Sequence, residues 1–200
     1  AIVRTAIEKM PAYLTSFDHQ KSARQTRDAA FASWGQVGRT VTEEVGSVIT
    51  QVIEPACQAA REAKNVDDLA RWTNIGDQLN KKVVQEFLLL RVTGVYLLAT
   101  NQEAQWEAYQ KQLAKTKQNA QSWAELVGGN STLETAASHI INYLKSYEEA
   151  GQQYRAGMLA QQSADTEMAS AAKTIVDTIG QLQESLRNRM ARATARTNTI

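Results

Sequence analysis

Two prolines and ten glycines punctuate 200 residues, and that scarcity is the tightest constraint the sequence sets. Sheets and doubly wound folds reverse direction often and rely on turn residues to do it. This chain cannot supply those turns. It is rich instead in helix formers, with thirty Ala and nineteen Gln alongside many Leu, Glu, Lys and Arg. The expectation is an all-α protein of long helices and few turns.

The breakers gather at three places. At Lys64-Asn65-Val66-Asp67-Asp68, Asn65 can N-cap a helix that carries two acids in its first turn. Thr100-Asn101-Gln102-Glu103 has the spacing of a capping box, and Ser131-Thr132-Leu133-Glu134 repeats it after the stop at Gly128-Gly129. Four helices follow, about 1–64, 66–100, 102–127 and 131–200, two of them roughly 95–105 Å long at 1.5 Å per residue.

Heptad spacing runs through the long helices. In the first, Ile7, Met10, Leu14, Phe17, Phe31, Trp34, Gly38, Val41, Val45, Val48 and Val52 keep one 3-4 phase. Pro11 marks a kink or a start within it, and Pro55 a bend near the far end. The third helix follows with Trp106, Tyr109, Leu113, Thr116, Ala120, Trp123 and Val127. The last begins with Leu133, Ala137, Ile140, Leu144, Tyr147, Gly151, Tyr154 and Met158, and resumes with Met168, Ala172, Ile175, Ile179, Leu182 and Leu186. Short loops make neighbours antiparallel. The expected architecture is an up-down four-helix bundle on two very long antiparallel helices that extend beyond it. Residues 35–158 form the bundle module, and 1–34 with 159–200 form a stalk or membrane-proximal module, within a single 1–200 domain.

Several functions fall away on composition. A net charge of +1 gives no electrostatic reason to expect nucleic acid. One cysteine, Cys57, and two distant histidines, His19 and His139, suggest no metal centre and no cofactor. No Ser/His/Asp order or phosphate-binding glycine loop points to catalysis, so no catalytic residue is expected. The most apolar run, Val83 to Ala99, is interrupted by Gln85, Glu86, Arg91 and Thr93, short of the ~20 residues that span a bilayer. The chain does not begin with Met, which suggests a piece of a longer protein whose membrane contacts, if any, lie in spans outside it. The tail, with Arg187, Arg189, Arg192 and Arg196 and no acid after Glu184, reads either as juxtamembrane charge or as a basic solvent face.

Arg91 is the most informative residue. Val84, Leu88, Arg91, Val95 and Leu98 form one helical stripe in which Arg91 is the only charge. A buried guanidinium needs a partner, and a carboxylate ligand offers bidentate geometry. The alternatives are that Arg91 reaches solvent or pairs with Glu148 or Glu149. Counting heights from the turn at Asn101 places Gly94, Gly38, Gly151, Tyr109 and Tyr147 near Arg91, with Trp34, Trp106 and Tyr154 slightly lower. Interior glycines cost a helix roughly 1 kcal/mol each against Ala. Three at one height read as a cavity with aromatic walls, or as close packing with the aromatics filling the space. Lys21, Arg24 and Asp28 on the first helix, and Gln161 and Asp165 on the last, form a polar layer in the same heptads. It either sets register or, with Arg24 and Arg27 as anchors, marks a second ligand site.

Two stretches carry a family resemblance: Gln85-Glu86-Phe87-Leu88-Leu89-Leu90-Arg91-Val92-Thr93-Gly94-Val95-Tyr96-Leu97-Leu98-Ala99-Thr100-Asn101, and Tyr143-Leu144-Lys145-Ser146-Tyr147. With the helix pattern, they make the chain resemble the helical bimodular ligand-binding domain of bacterial methyl-accepting chemotaxis receptors. That family stacks two four-helix bundles on two shared long helices between two membrane spans; the two short helices of its membrane-proximal module have no counterpart here. The resemblance implies a periplasmic, extracytoplasmic domain of an inner-membrane receptor that works as a homodimer. It would bind a small organic acid between helices and signal by displacing the last helix. A sensor histidine kinase domain, or a helical interaction protein without a small ligand, are the competing readings.

Overall fold

The structure, a computed structural model, describes residues 2–197, and within them every side chain except those of residues 2, 3, 5, 6, 9, 196 and 197. The described residues are helical apart from short joints, and no strand occurs among them. Helix α1 covers residues 2–62, α2 Val66–Thr100, α3 Glu103–Leu126 and α4 Ser131–Thr197. The protein is all-α.

The helix ends show which local signals prevail. Asn65 caps α2 as expected, accepting from the Asp68 amide at 3.1 Å, with Asp67 and Asp68 in the first turn. The box expected at Thr100–Glu103 does not form. Asn101 takes a left-handed conformation with φ 54°, Thr100 turns its hydroxyl to the Tyr96 carbonyl, and Gln102 begins α3 without a side-chain cap. The second box is displaced by one residue. Asn130 accepts from the Leu133 amide at 3.1 Å, and Glu134 reaches back to the Gly129 amide at 2.8 Å. Asn is as strong an N-cap as Ser, and here Asn130 takes the role one position upstream.

Pro11 sits inside the helix without interrupting it. Pro55 is accommodated differently. The turn before it, Ile49–Ile53, widens into a π-bulge, with the Glu54 amide bonded to the Ile49 carbonyl. Proline removes one i→i−4 bond and crowds that carbonyl, and a widened turn relieves the crowding. A second π-bulge spans Asn80–Val84 in α2.

Contacts divide the chain into two compact units, Ala32–Gly151 and the paired ends Ala1–Phe31 with Gln152–Ile200. The first is called here the central unit, the second the terminal unit. All four helices contribute to the central core: Val41, Val45 and Val48 from α1, Leu79, Val83 and Leu90 from α2, Leu113, Ala120 and Trp123 from α3, and Leu133, Ile140 and Leu144 from α4. Polar cross-links tie α2 to α3: the Trp123 indole donates to the Ile75 carbonyl at 3.2 Å, and Lys115 and Gln112 hold Glu86 at 2.9 and 2.8 Å. Those two donors hold the Glu86 carboxyl below its ordinary range.

The terminal unit departs from the heptads. Apart from Tyr154, its buried positions are small: Ser16, Ala23 and Ala30 on α1, and Gly157, Ala164 and Thr178 on α4. Gly157 lies so close to α1 that a Cβ there would stand 2.9 Å from the Arg27 backbone. The expected seam residues lie one position off this contact, leaving Ile7 63%, Leu14 56% and Phe17 49% exposed. Lys21, Arg24, Asp28 and Asp165 are likewise exposed rather than in the seam. Close approach of two helices favours small side chains along their line of contact.

Helix α2 also corrects an expectation. Its 18-residue apolar window has a mean hydropathy of 1.4, enough by length and composition to cross a membrane, and 28% of that window is buried inside the molecule. Counting unbroken apolar residues missed this, because few charges interrupt the stretch. A core helix meets the same test.

Candidate functional site

Five aromatic side chains from all four helices meet in the central unit. Trp34 stands edge-on to Tyr109, with ring centroids 5.1 Å apart, and lies 5.4 Å from Tyr147. Phe87 meets Tyr147 at 5.4 Å, and Trp106 stacks on Tyr109 at 5.5 Å. These separations fall in the range where tilted aromatic pairs attract beyond simple burial. The glycines surround the rings. A Cβ on Gly38 would lie 3.4 Å from Tyr147, one on Gly94 3.4 Å from Trp34, and one on Gly151 only 2.7 Å from the Tyr109 hydroxyl. Heptad counting thus places Trp34, Trp106, Tyr109, Tyr147, Gly38, Gly94 and Gly151 in one neighbourhood.

The neighbourhood is filled. The rings occupy the room the glycines leave, where the cavity reading expected open space. Close packing prevails because a void among buried rings forfeits their dispersion contacts. Burial pushes the Tyr147 phenol up to about 12 even though Arg91 favours its ionised form, and burial raises Tyr109 still further. Tyr154 belongs to the terminal unit, where it faces Phe31 at 6.3 Å.

Arg91 is exposed, contrary to its expected place in a buried stripe. Leu88 and Val95 of that stripe are exposed with it, and the inward face is Val83, Phe87, Leu90, Gly94 and Leu97. The helix is apolar almost all round, so periodicity could not choose between faces. Glu148 is committed to Lys117 at 2.6 Å, and among the described residues no acid closes an ion pair with Arg91. The guanidinium therefore combines an electrostatic influence on a buried tyrosine with an open approach from solvent.

Open volume lies one turn away. A cleft of about 210 Å³ runs between α1 and α2, lined by Val41, Thr42, Val45, Gly46 and Ile49 on one side and Val83, Val84, Phe87 and Leu88 on the other. A Cβ on Gly46 would meet nothing within 4 Å. The nearby hydroxyls turn away, Thr42 to the Gly38 carbonyl at 3.0 Å and Thr50 to the Gly46 carbonyl at 2.9 Å. Both π-bulges border the cleft, through Ile49 and through Val83 and Val84. Sequence reading missed it. Its only signal was Gly46, an interior helix glycine with no packing reason.

The second candidate site is committed within the protein. Arg27 bonds the Gln161 side chain at 2.6 Å and pairs with Asp28, while Arg24 is exposed. The Arg27–Gln161 bond crosses between α1 and α4, as a register-setting contact would. In the tail, Arg187, Arg189 and Arg192 are exposed, and the Arg196 side chain lies outside the described residues. Among the described residues, no cluster of three or more His, Cys, Asp or Glu side chains is arranged to hold a metal ion. No protein-family model and no curated protein sequence matches the chain.

Proposed function

We propose that this chain is the extracytoplasmic ligand-binding domain of a transmembrane chemoreceptor, a binding protein rather than an enzyme. On this reading the central unit is an up-down four-helix bundle, and α1 and α4 are the long antiparallel pair of a helical bimodular receptor. The receptor works as a homodimer in a bacterial inner membrane, with this domain in the periplasm. A small organic acid binds at Arg91 and favours one of two packings of α4 against its neighbours. Such coupling requires different affinities for the two packings.

The observation that carries the reading is Arg91 itself. It is an exposed guanidinium with no ion-pairing acid among the described residues, whose charge is felt by buried Tyr147 and which follows the cleft-lining Phe87 and Leu88 by four and three residues. A carboxylate would supply the missing charge through a two-point hydrogen-bonded contact. The same chemistry would serve a sensor histidine kinase. Calorimetry with a panel of small carboxylates tests it: Arg91→Ala is expected to weaken binding at least tenfold, about 1.4 kcal/mol, with helicity unchanged. Equal affinity in that variant would remove Arg91 from the site.

One observation favours the alternative of an interaction protein without a small ligand. Ile7, Met10, Leu14 and Phe17 present large apolar side chains to solvent at heptad spacing. If no organic acid, amino acid or amine raises the thermal midpoint, that reading replaces the first.

A further inference from the structure

The cleft and Arg91 are parts of one helix surface. Phe87 and Leu88 line the cleft, and Arg91 follows them by four and three residues. Residues at those spacings are neighbours on a helix, roughly 5–6 Å apart at Cβ. Helical side chains also lean toward the helix N-terminus, which carries Arg91 back over the turn of Phe87 and Leu88. Helix geometry thus sets a cation next to two residues that wall an apolar hollow, although its own side chain does not line it. The hollow offers a ligand no polar group from the threonines, because Thr42 and Thr50 bond their own helix. Its walls include parts of both π-bulges, a helix distortion found often at functional sites.

We infer that the acid held at Arg91 carries an apolar tail, and that the tail lies in the cleft between α1 and α2. This rests on reading Arg91 as the carboxylate anchor. It narrows the ligand class to alkanoates or arylalkanoates rather than small hydrophilic di- and tricarboxylates. At ~30 Å³ for each water-sized group, a cleft of about 210 Å³ has room for about seven such groups. A charged carboxylate at the far end of the hollow would lose its hydration with nothing to replace it, so the head must stay at the Arg91 rim.

The test is calorimetry of the whole chain with acetate, butyrate, hexanoate and octanoate, and with 1-hexanol as the uncharged control. Affinity should rise about fourfold per methylene from butyrate to hexanoate and flatten once the cleft is full. Gly46→Leu places a side chain in the open space, at a position where leucine suits the helix better than glycine. It should reduce the rise to less than twofold per methylene and leave any acetate binding unchanged. Arg91→Gln should cost hexanoate at least tenfold. Hexanoate binding no tighter than acetate, or an unaltered slope in Gly46→Leu, would overturn the tail assignment while leaving Arg91 as a carboxylate anchor. Failure of every carboxylate to bind, or hexanol binding as tightly as hexanoate, would overturn the anchor itself and the inference with it.

Discussion

The central and terminal units are both built from helices, yet they bury largely different kinds of residue. In the central unit the large apolar and aromatic side chains are inside, with Trp123 fully enclosed and Tyr109 nearly so. In the terminal unit the inside is mostly small, with Ser16, Ala23, Ala30, Gly157 and Ala164 beside the single large ring of Tyr154, while Phe17 and Phe31 face out. The number of partner helices makes the difference. The central core draws side chains from every helix, which gives large ones room, whereas the buried residues of the terminal unit come from α1 and α4 alone. Close approach of that pair selects small residues.

This contrast is open to direct attack. The largest expected effect is Trp123→Ala, which should destabilise the central unit by about 3–5 kcal/mol in denaturant unfolding. Phe17→Ala in the terminal unit should change stability by less than about 0.5 kcal/mol. A large loss at Phe17 would mean that something covers this face in solution.

Alkaline unfolding comes next. Burial raises the Tyr147 phenol from 10.0 to about 12, so its contribution is fully present below its unfolded pKa of 10.0 and is lost as pH rises through about 12. That shift corresponds to about 2–3 kcal/mol, and all of it belongs to the central unit. Tyr147→Phe should unfold at higher pH than the parent chain, as followed by helicity against tyrosinate absorbance. Coincident profiles would show that Tyr147 ionises without unfolding the core.

A further test separates two glycines that look alike in sequence. Gly151→Ala and Gly157→Ala should each cost about 1–3 kcal/mol by overpacking. The first contact is with the Tyr109 hydroxyl at 2.7 Å, and the second is with the Arg27 backbone at 2.9 Å. Tyr109→Phe should therefore restore part of the loss at Gly151. Trimming the Arg27 side chain should restore nothing at Gly157. Equal rescue in both would erase the distinction between a side-chain packing site and a backbone packing site.

The helices were legible because breakers and caps act within a few residues: Asn65 and the Gly128-Gly129 stop mark their ends without tertiary help. Their inward faces were legible only where the pattern alternates. In α3 and its C-cap, Tyr109, Leu113, Thr116, Ala120, Trp123 and Val127 are buried as the spacing predicts, since polar residues fill the other face. In α2, apolar residues occupy nearly every side from Phe87 to Leu98, and the face chosen from sequence turned out to be the exposed one. The aromatic neighbourhood was also legible, because the rise per residue of a helix is fixed and heights can be counted from the turns. The cleft was not, since it depends on two π-bulges and on how side chains thirty or more residues apart meet across α1 and α2.

By itself, the sequence determined an all-helical chain, the places where its helices stop, and which residues share a level, because all of these follow from local propensity and a fixed rise per residue. Only the tertiary structure decided that rings would fill the space beside Gly38, Gly94 and Gly151, that Arg91 would face solvent, and that small residues would line the contact between the chain's two ends. Those outcomes depend on which surfaces compete for burial, and a helix apolar on several sides or packed against a single neighbour leaves that competition to its partners.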